Sequence, residues 1–70
     1  MYTHAIAENN FKYHAPKGDQ QPRYEAIREK AKDLASHLLD NCPESRERSL
    51  ALTALEESVM WANASIARNE

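Results

Sequence analysis

The run Leu50-Ala51-Leu52-Thr53-Ala54-Leu55-Glu56-Glu57-Ser58-Val59-Met60-Trp61-Ala62-Asn63-Ala64-Ser65-Ile66-Ala67 holds neither glycine nor proline and repeats its apolar residues at helical spacing. Leu52, Leu55, Val59, Ala62 and Ile66 stand 3, 4, 3 and 4 apart, a heptad seam. Beside it runs a second row, Ala51, Ala54, Ser58, Trp61, Ser65 and Arg68, small residues with one large aromatic. A third row carries Ser49, Thr53, Glu56, Met60, Asn63 and Ala67. One partner covers roughly 100° of a helix surface, which is less than these rows span. The alanine row admits a further helix at close range, with Trp61 as an interface anchor. The alternative is that Trp61 completes the chain's own core.

Upstream, Tyr24, Ile27, Ala31, Leu34 and Leu38 recur at 3, 4, 3 and 4, and Ala35 and Leu39 broaden the stripe. This predicts a helix from about residue 22 to 41, with Pro22 in a first turn where its missing N–H is not needed. Asn41-Cys42-Pro43-Glu44-Ser45 breaks it, because Pro43 disfavours helix at Cys42. The next helix, to about residue 68, starts either at Cys42–Pro43 or at Ser45, with Glu44 and Glu47 near its positive end. So short a connection makes the two helices antiparallel neighbours. Residues 1–21 contain the only glycine and no sustained period, and read as an irregular arm. The expected fold is all-α: one domain, an N-terminal arm plus an antiparallel two-helix hairpin, assembled into a homo-oligomer.

Assembly is expected from arithmetic. Of 70 residues, eleven are alanine, twelve are Leu, Ile, Val or Met, and five are aromatic. A core of that size rarely supplies more than about 3–5 kcal/mol without a staple. Cys42 is alone, so no disulfide can close within the chain, and no Cys/His set has zinc spacing. No apolar stretch approaches the roughly 20 residues of a membrane helix, and the first ten residues lack a signal peptide's basic and apolar regions. A reducing cytoplasm is therefore expected. The net charge of −2 argues against a general DNA-binding role. It is unevenly distributed: residues 1–32 carry six basic and four acidic side chains, residues 33–70 three and seven.

Catalytic chemistry has little to stand on. Ser49, Ser58 and Ser65 have no histidine near in sequence, and His4, His14 and His37 fall on separate segments. No catalytic residue, metal or cofactor is expected. The arm segment Asn10-Phe11-Lys12-Tyr13-His14-Ala15-Pro16-Lys17-Gly18 is different. In an extended chain Phe11 and Tyr13 point one way, Lys12 and His14 the other. Aromatic rings stack on bases and lysines meet phosphates as point charges, so a base-and-phosphate ligand suits it. The competing reading is that both rings pin the arm onto the hairpin.

The tail from Ser45-Arg46-Glu47-Arg48-Ser49 through Ile66-Ala67-Arg68-Asn69, with Phe11-Lys12-Tyr13-His14 and Arg23-Tyr24-Glu25-Ala26-Ile27-Arg28, resembles the phage hairpin sponges that antagonise bacterial cyclic-nucleotide immunity, the anti-CBASS and anti-Thoeris proteins. The resemblance covers about residues 9–69. It implies a helical hairpin assembled into a homo-oligomer, a hexamer in most members. It also implies a non-catalytic activity in the host bacterial cytoplasm: binding cyclic di- or trinucleotides, or cyclic ADP-ribose isomers, between protomers and holding them from effector proteins.

Carried over residue by residue, the resemblance implies base stacking by Tyr13, or else Phe11, and phosphate contact by Lys17, Arg28 or Lys32. On the second helix it points to Arg46, Ser49 and Thr53, on one face, and to Arg68 as the distal arginine. The structural alternatives are a helix cap at Ser49 or Arg46 and back-bonding by Thr53. Two rival functions remain: a hairpin adaptor docking on a protein partner, and a small hydrolase of the same signals.

Overall fold

A computed structural model describes all 70 residues, Met1–Glu70. It contains three helices and no strand: α1 (His4–Asn10), α2 (Gln20–Asn41) and α3 (Arg46–Asn69). The arm is thus helical in its first half, which corrects the expectation of an irregular segment. The signal was local: Thr3 lies just before Ala5, Ile6 and Ala7, and its Oγ1 accepts from the Ile6 N–H at 3.1 Å. Seven residues are too few for a stable isolated helix. This one is tied down by Asn9, whose Nδ2 donates to the Arg68 carbonyl at 3.0 Å.

α2 begins at Gln20, two residues before the expected start, so Pro22 occupies its third position, still within the turn that needs no N–H. At the connection Ser45 takes the cap: its Oγ accepts from the Arg48 N–H at 3.1 Å, and α3 runs from Arg46 to Asn69. Neither Arg46 nor Ser49 is the cap. Arg48 reaches back to the end of α2, donating to the carbonyl of Cys42 at 3.3 Å and of Leu39 at 3.5 Å. A cation placed there satisfies carbonyls that a helix end leaves unpaired. Replacing Ser45 by alanine should cost about 1 kcal/mol of stability, read as a lower urea midpoint at fixed protein concentration.

The two long helices meet along the expected seam. Leu52, Leu55, Val59, Ala62 and Ile66 are all half-buried, as are Tyr24, Ile27, Ala31, Ala35 and Leu38 on α2. Leu34, expected in that stripe, is 46% exposed; Ala35 takes its place, because the α2 seam runs 3, 4, 4, 3. Trp61 does not complete the chain's own core. It is 61% exposed, with its ring N–H donating to Glu57 Oε1 at 3.3 Å.

No apolar residue is buried, and Gln20 is the single buried side chain of the molecule. The chain measures 44 × 29 × 15 Å, a slab one helix thick. Its accessible surface is 5725 Å², whereas a compact monomer of 8.0 kDa exposes about 4,500 Å². The excess of about 1,200 Å² is above the roughly 800 Å² that one partner buries in a standard interface. No helix is long and apolar enough to cross a membrane.

Candidate functional site

The first seven residues of helix and the segment after them are laid across the far end of α3. The Nε2 atom of His14 lies 2.8 Å from the Asn9 carbonyl, an acceptor, so that ring nitrogen carries the hydrogen. Gly18 then turns the chain at φ +56, a left-handed conformation that a β-carbon would strain. That turn permits a reciprocal pair between Lys17 and Gln20. The Gln20 N–H donates to the Lys17 carbonyl at 3.0 Å, and the Lys17 N–H donates to Gln20 Oε1 at 3.1 Å.

Around this turn lies a polar groove of about 280 Å³, lined by Asn9, Lys12, His14, Ala15, Lys17, Gln20, Ala67, Arg68 and Glu70. Three lysine or arginine side chains face one carboxylate there. Glu70 is held tightly: Arg23 grips both of its carboxylate oxygens at 2.9 and 2.8 Å, and Gln20 Nε2 donates to Oε1 at 3.3 Å. Lys17 Nζ donates to the Glu70 main-chain oxygen at 2.8 Å. The Arg23 hydrogen bonds, and secondarily that of Gln20, hold the Glu70 carboxyl below the ordinary carboxylate range and raise Arg23 above its own.

A pH dependence follows. A carboxylate with a depressed folded pKa stabilises the clasp fully above its unfolded value, about 4.5. The contribution is lost as pH falls through the lower folded value. Acidification below pH 4.5 should therefore release the turn at Lys17–Gln20 from α3 before the hairpin unfolds. Amide exchange at Lys17 and Gln20 should accelerate while α2 and α3 stay protected; uniform exchange throughout would sink the prediction.

The chain has two further grooves. Under α1, about 500 Å³ is lined by Ala5, Ile6, Asn9, Asn10, Trp61, Ala64, Ser65, Arg68 and Asn69. Between α2 and α3, about 720 Å³ is lined by Ala31, Ala35, Leu39, Leu52, Leu55, Val59 and Met60, with Arg28, Glu29, Lys32 and Glu56 at its rim.

The residues singled out from sequence thus fall into separate groups. Lys17 and Arg68 converge on the polar groove. Phe11 and Tyr13 are 86% and 84% exposed and line none of the three grooves, so neither ring pins the arm onto the hairpin. Arg28 and Lys32 sit one turn apart on the rim of the apolar groove. Arg46, Ser49 and Thr53 are exposed in the first third of α3, roughly 22 to 33 Å from Arg68, and line none of the three grooves. A single chain does not bring all of them to one place. Sequence reasoning missed Gln20, Arg23 and Glu70. The Asp19–Arg23 spacing of an ion pair was visible, and it forms at 3.2 Å, but the 47-residue separation of Arg23 from Glu70 carried no signal.

No group of three or more His, Cys, Asp or Glu is gathered that could hold a metal ion. The family model described as Acb2/Tad1, hairpin domain, matches residues 4–67, from the first residue of α1 almost to the end of α3. No curated protein and no solved structure matches the chain.

Proposed function

The chain belongs to the Acb2/Tad1 hairpin family of anti-CBASS and anti-Thoeris sponges, and from that premise we propose that it is a phage anti-defence protein. It binds and sequesters cyclic oligonucleotide immune signals in the host bacterial cytoplasm without cleaving them: cyclic di- and trinucleotides, and cyclic ADP-ribose isomers. One observation carries this reading. Two free aromatic rings, Phe11 and Tyr13, alternate in sequence with Lys12 and His14, which line a groove together with Lys17 and Arg68. A base needs a ring to stack on and a phosphate needs a mobile cation within reach.

The unburied area supports a homo-oligomer, a hexamer by family resemblance. Pockets shared between protomers would reunite the separate groups, with Arg28 and Lys32 of one site or Arg46, Ser49 and Thr53 of another meeting ligand across an interface. A ring-shaped ligand between two chains has both faces covered, which one exposed groove cannot do. Sequestration needs only affinity and stoichiometry.

The test is calorimetric titration with a panel of cyclic di- and trinucleotides and cyclic ADP-ribose isomers, followed by heating and chromatography of the released ligand. Tight binding of at least one member, recovered unaltered, is expected. A cleaved product would make the protein an enzyme. Silence across the panel would leave the apolar groove between α2 and α3 as the working surface, that of a hairpin adaptor for a protein partner.

A further inference from the structure

We propose that Lys17, Gln20 and Arg23 form an anion seat that Glu70 occupies in cis, so that its carboxylate competes there with a phosphate-class oxyanion. The seat goes beyond the sequestration reading, since it requires a tetrahedral anion and no base. It stands on three features of the geometry. Arg23 presents its fork to both oxygens of Glu70 at 2.9 and 2.8 Å, the arrangement with which guanidinium also meets phosphate. Gln20 adds a third donor at 3.3 Å. It is only 4% exposed in a molecule that buries no other residue, and its carbonyl is fixed by the Lys17 N–H. The donor is therefore preset rather than recruited. Third, Lys17 Nζ is already at the main-chain oxygen of the same residue, Glu70, at 2.8 Å.

The occupant lies outside α2, the helix that carries Gln20 and Arg23. Glu70 caps α3 beyond its last helical residue, Asn69, and its side chain is 41% exposed. It can swing to solvent without disturbing a helix. The other charged groups near by are Asp19, which shares one Arg23 nitrogen at 3.2 Å, and the cations Lys12 and Arg68 in the adjoining groove. With Glu70 withdrawn, Lys12, Lys17, Arg23 and Arg68 face the carboxylate of Asp19 alone, and the positive balance of charge around the seat grows. A tethered competitor of this kind lowers the apparent affinity of a free anion, and does so without closing the site.

The experiment follows the amide signals of Lys17 and Gln20 and the Arg23 guanidinium signal by NMR. Inorganic phosphate is titrated into the wild type and into Glu70→Ala and Glu70→Gln. Phosphate should move these signals in all three proteins, with an affinity about two- to fivefold tighter in both variants, the range an exposed ion pair is worth. Adding Arg23→Gln to Glu70→Ala should abolish the response. Unchanged affinity, shifts centred elsewhere, or no response in any protein would overturn the seat. So would loss of helix in both single variants, which would make Glu70 a structural pin. Phosphate binding with no cyclic nucleotide bound would leave the seat standing and remove the sequestration reading.

Discussion

Diluting the protein a thousandfold should lower its unfolding temperature by about 10–25 °C. The expectation comes from what the hairpin leaves uncovered. No apolar side chain is buried within the chain, and helices of 22 and 24 residues owe most of their stability to packing rather than propensity. Trp61, 61% exposed, stands with the exposed Ala51 and Ala54 on faces of α3 that α2 does not cover, and Met60, 69% exposed, lines the open groove between the two helices. If copies of the chain cover them, folding and association are one equilibrium and mass action sets the stability. A thousandfold change in concentration is about 4 kcal/mol per association step. Spread over a dimer to a hexamer, that is about 2–3 kcal/mol per chain, at 4–8 °C per kcal/mol for a domain of this size. Thermal melts by circular dichroism across that range, beside sedimentation equilibrium, provide the check. Trp61→Ala should steepen the dependence while leaving α2–α3 contacts intact. A monomeric mass with a melting point indifferent to concentration would defeat the expectation.

The hairpin was legible because its information is periodic and local. Leu52, Leu55, Val59, Ala62 and Ile66 define the α3 seam without reference to any other part of the chain, and the break at Cys42–Pro43 fixes the antiparallel return. What was not legible depends on contacts between distant residues. α1 is a two-turn helix with no sustained period, held by Thr3 at one end and by Asn9 on the Arg68 carbonyl at the other; only the first of these was visible in the sequence. The Arg23–Glu70 grip joins the start of α2 to the end of α3. Nothing in the spacing of those residues announces it. Leu34 illustrates a smaller failure. Heptad counting admits both Leu34 and Ala35, and the choice between them depends on how the helices lie against each other, which favoured the smaller residue.

The site was legible as residue types and not as a place. Aromatic and basic residues in the arm pointed to a base-and-phosphate ligand, and the exposure of Phe11 and Tyr13 bears on that reading directly. A ring at 84–86% exposure gains little from folding of its own chain and is free to meet a ligand. Lys17 and Arg68 meet through the crossing of the arm over α3, a tertiary event. Arg46, Ser49 and Thr53 share a face of α3 and line no groove of the single chain.

Tyr13→Ala should therefore weaken the tightest-bound cyclic nucleotide by about 5- to 150-fold, the value of one base–aromatic stack at about 1–3 kcal/mol. Because Tyr13 is 84% exposed, its truncation removes no packing within the chain. Melting temperature and oligomeric mass should stay at their wild-type values, and the loss is then attributable to the ligand contact. Phe11→Ala, at equal exposure, tells which ring stacks: the stacking ring carries the large loss and the other stays within about twofold. Thr53→Ala addresses the α3 face. Its hydroxyl is on an exposed helix face far from the arm, so a loss there for one ligand class, with Tyr13→Ala affecting another, would mean two kinds of pocket on one assembly. A loss of the same ligand in both variants would mean one pocket shared between chains. Should both variants keep their oligomeric mass and wild-type affinity for every ligand bound, the rings and the α3 face are not the site, and the assignment of Tyr13 and Thr53 fails.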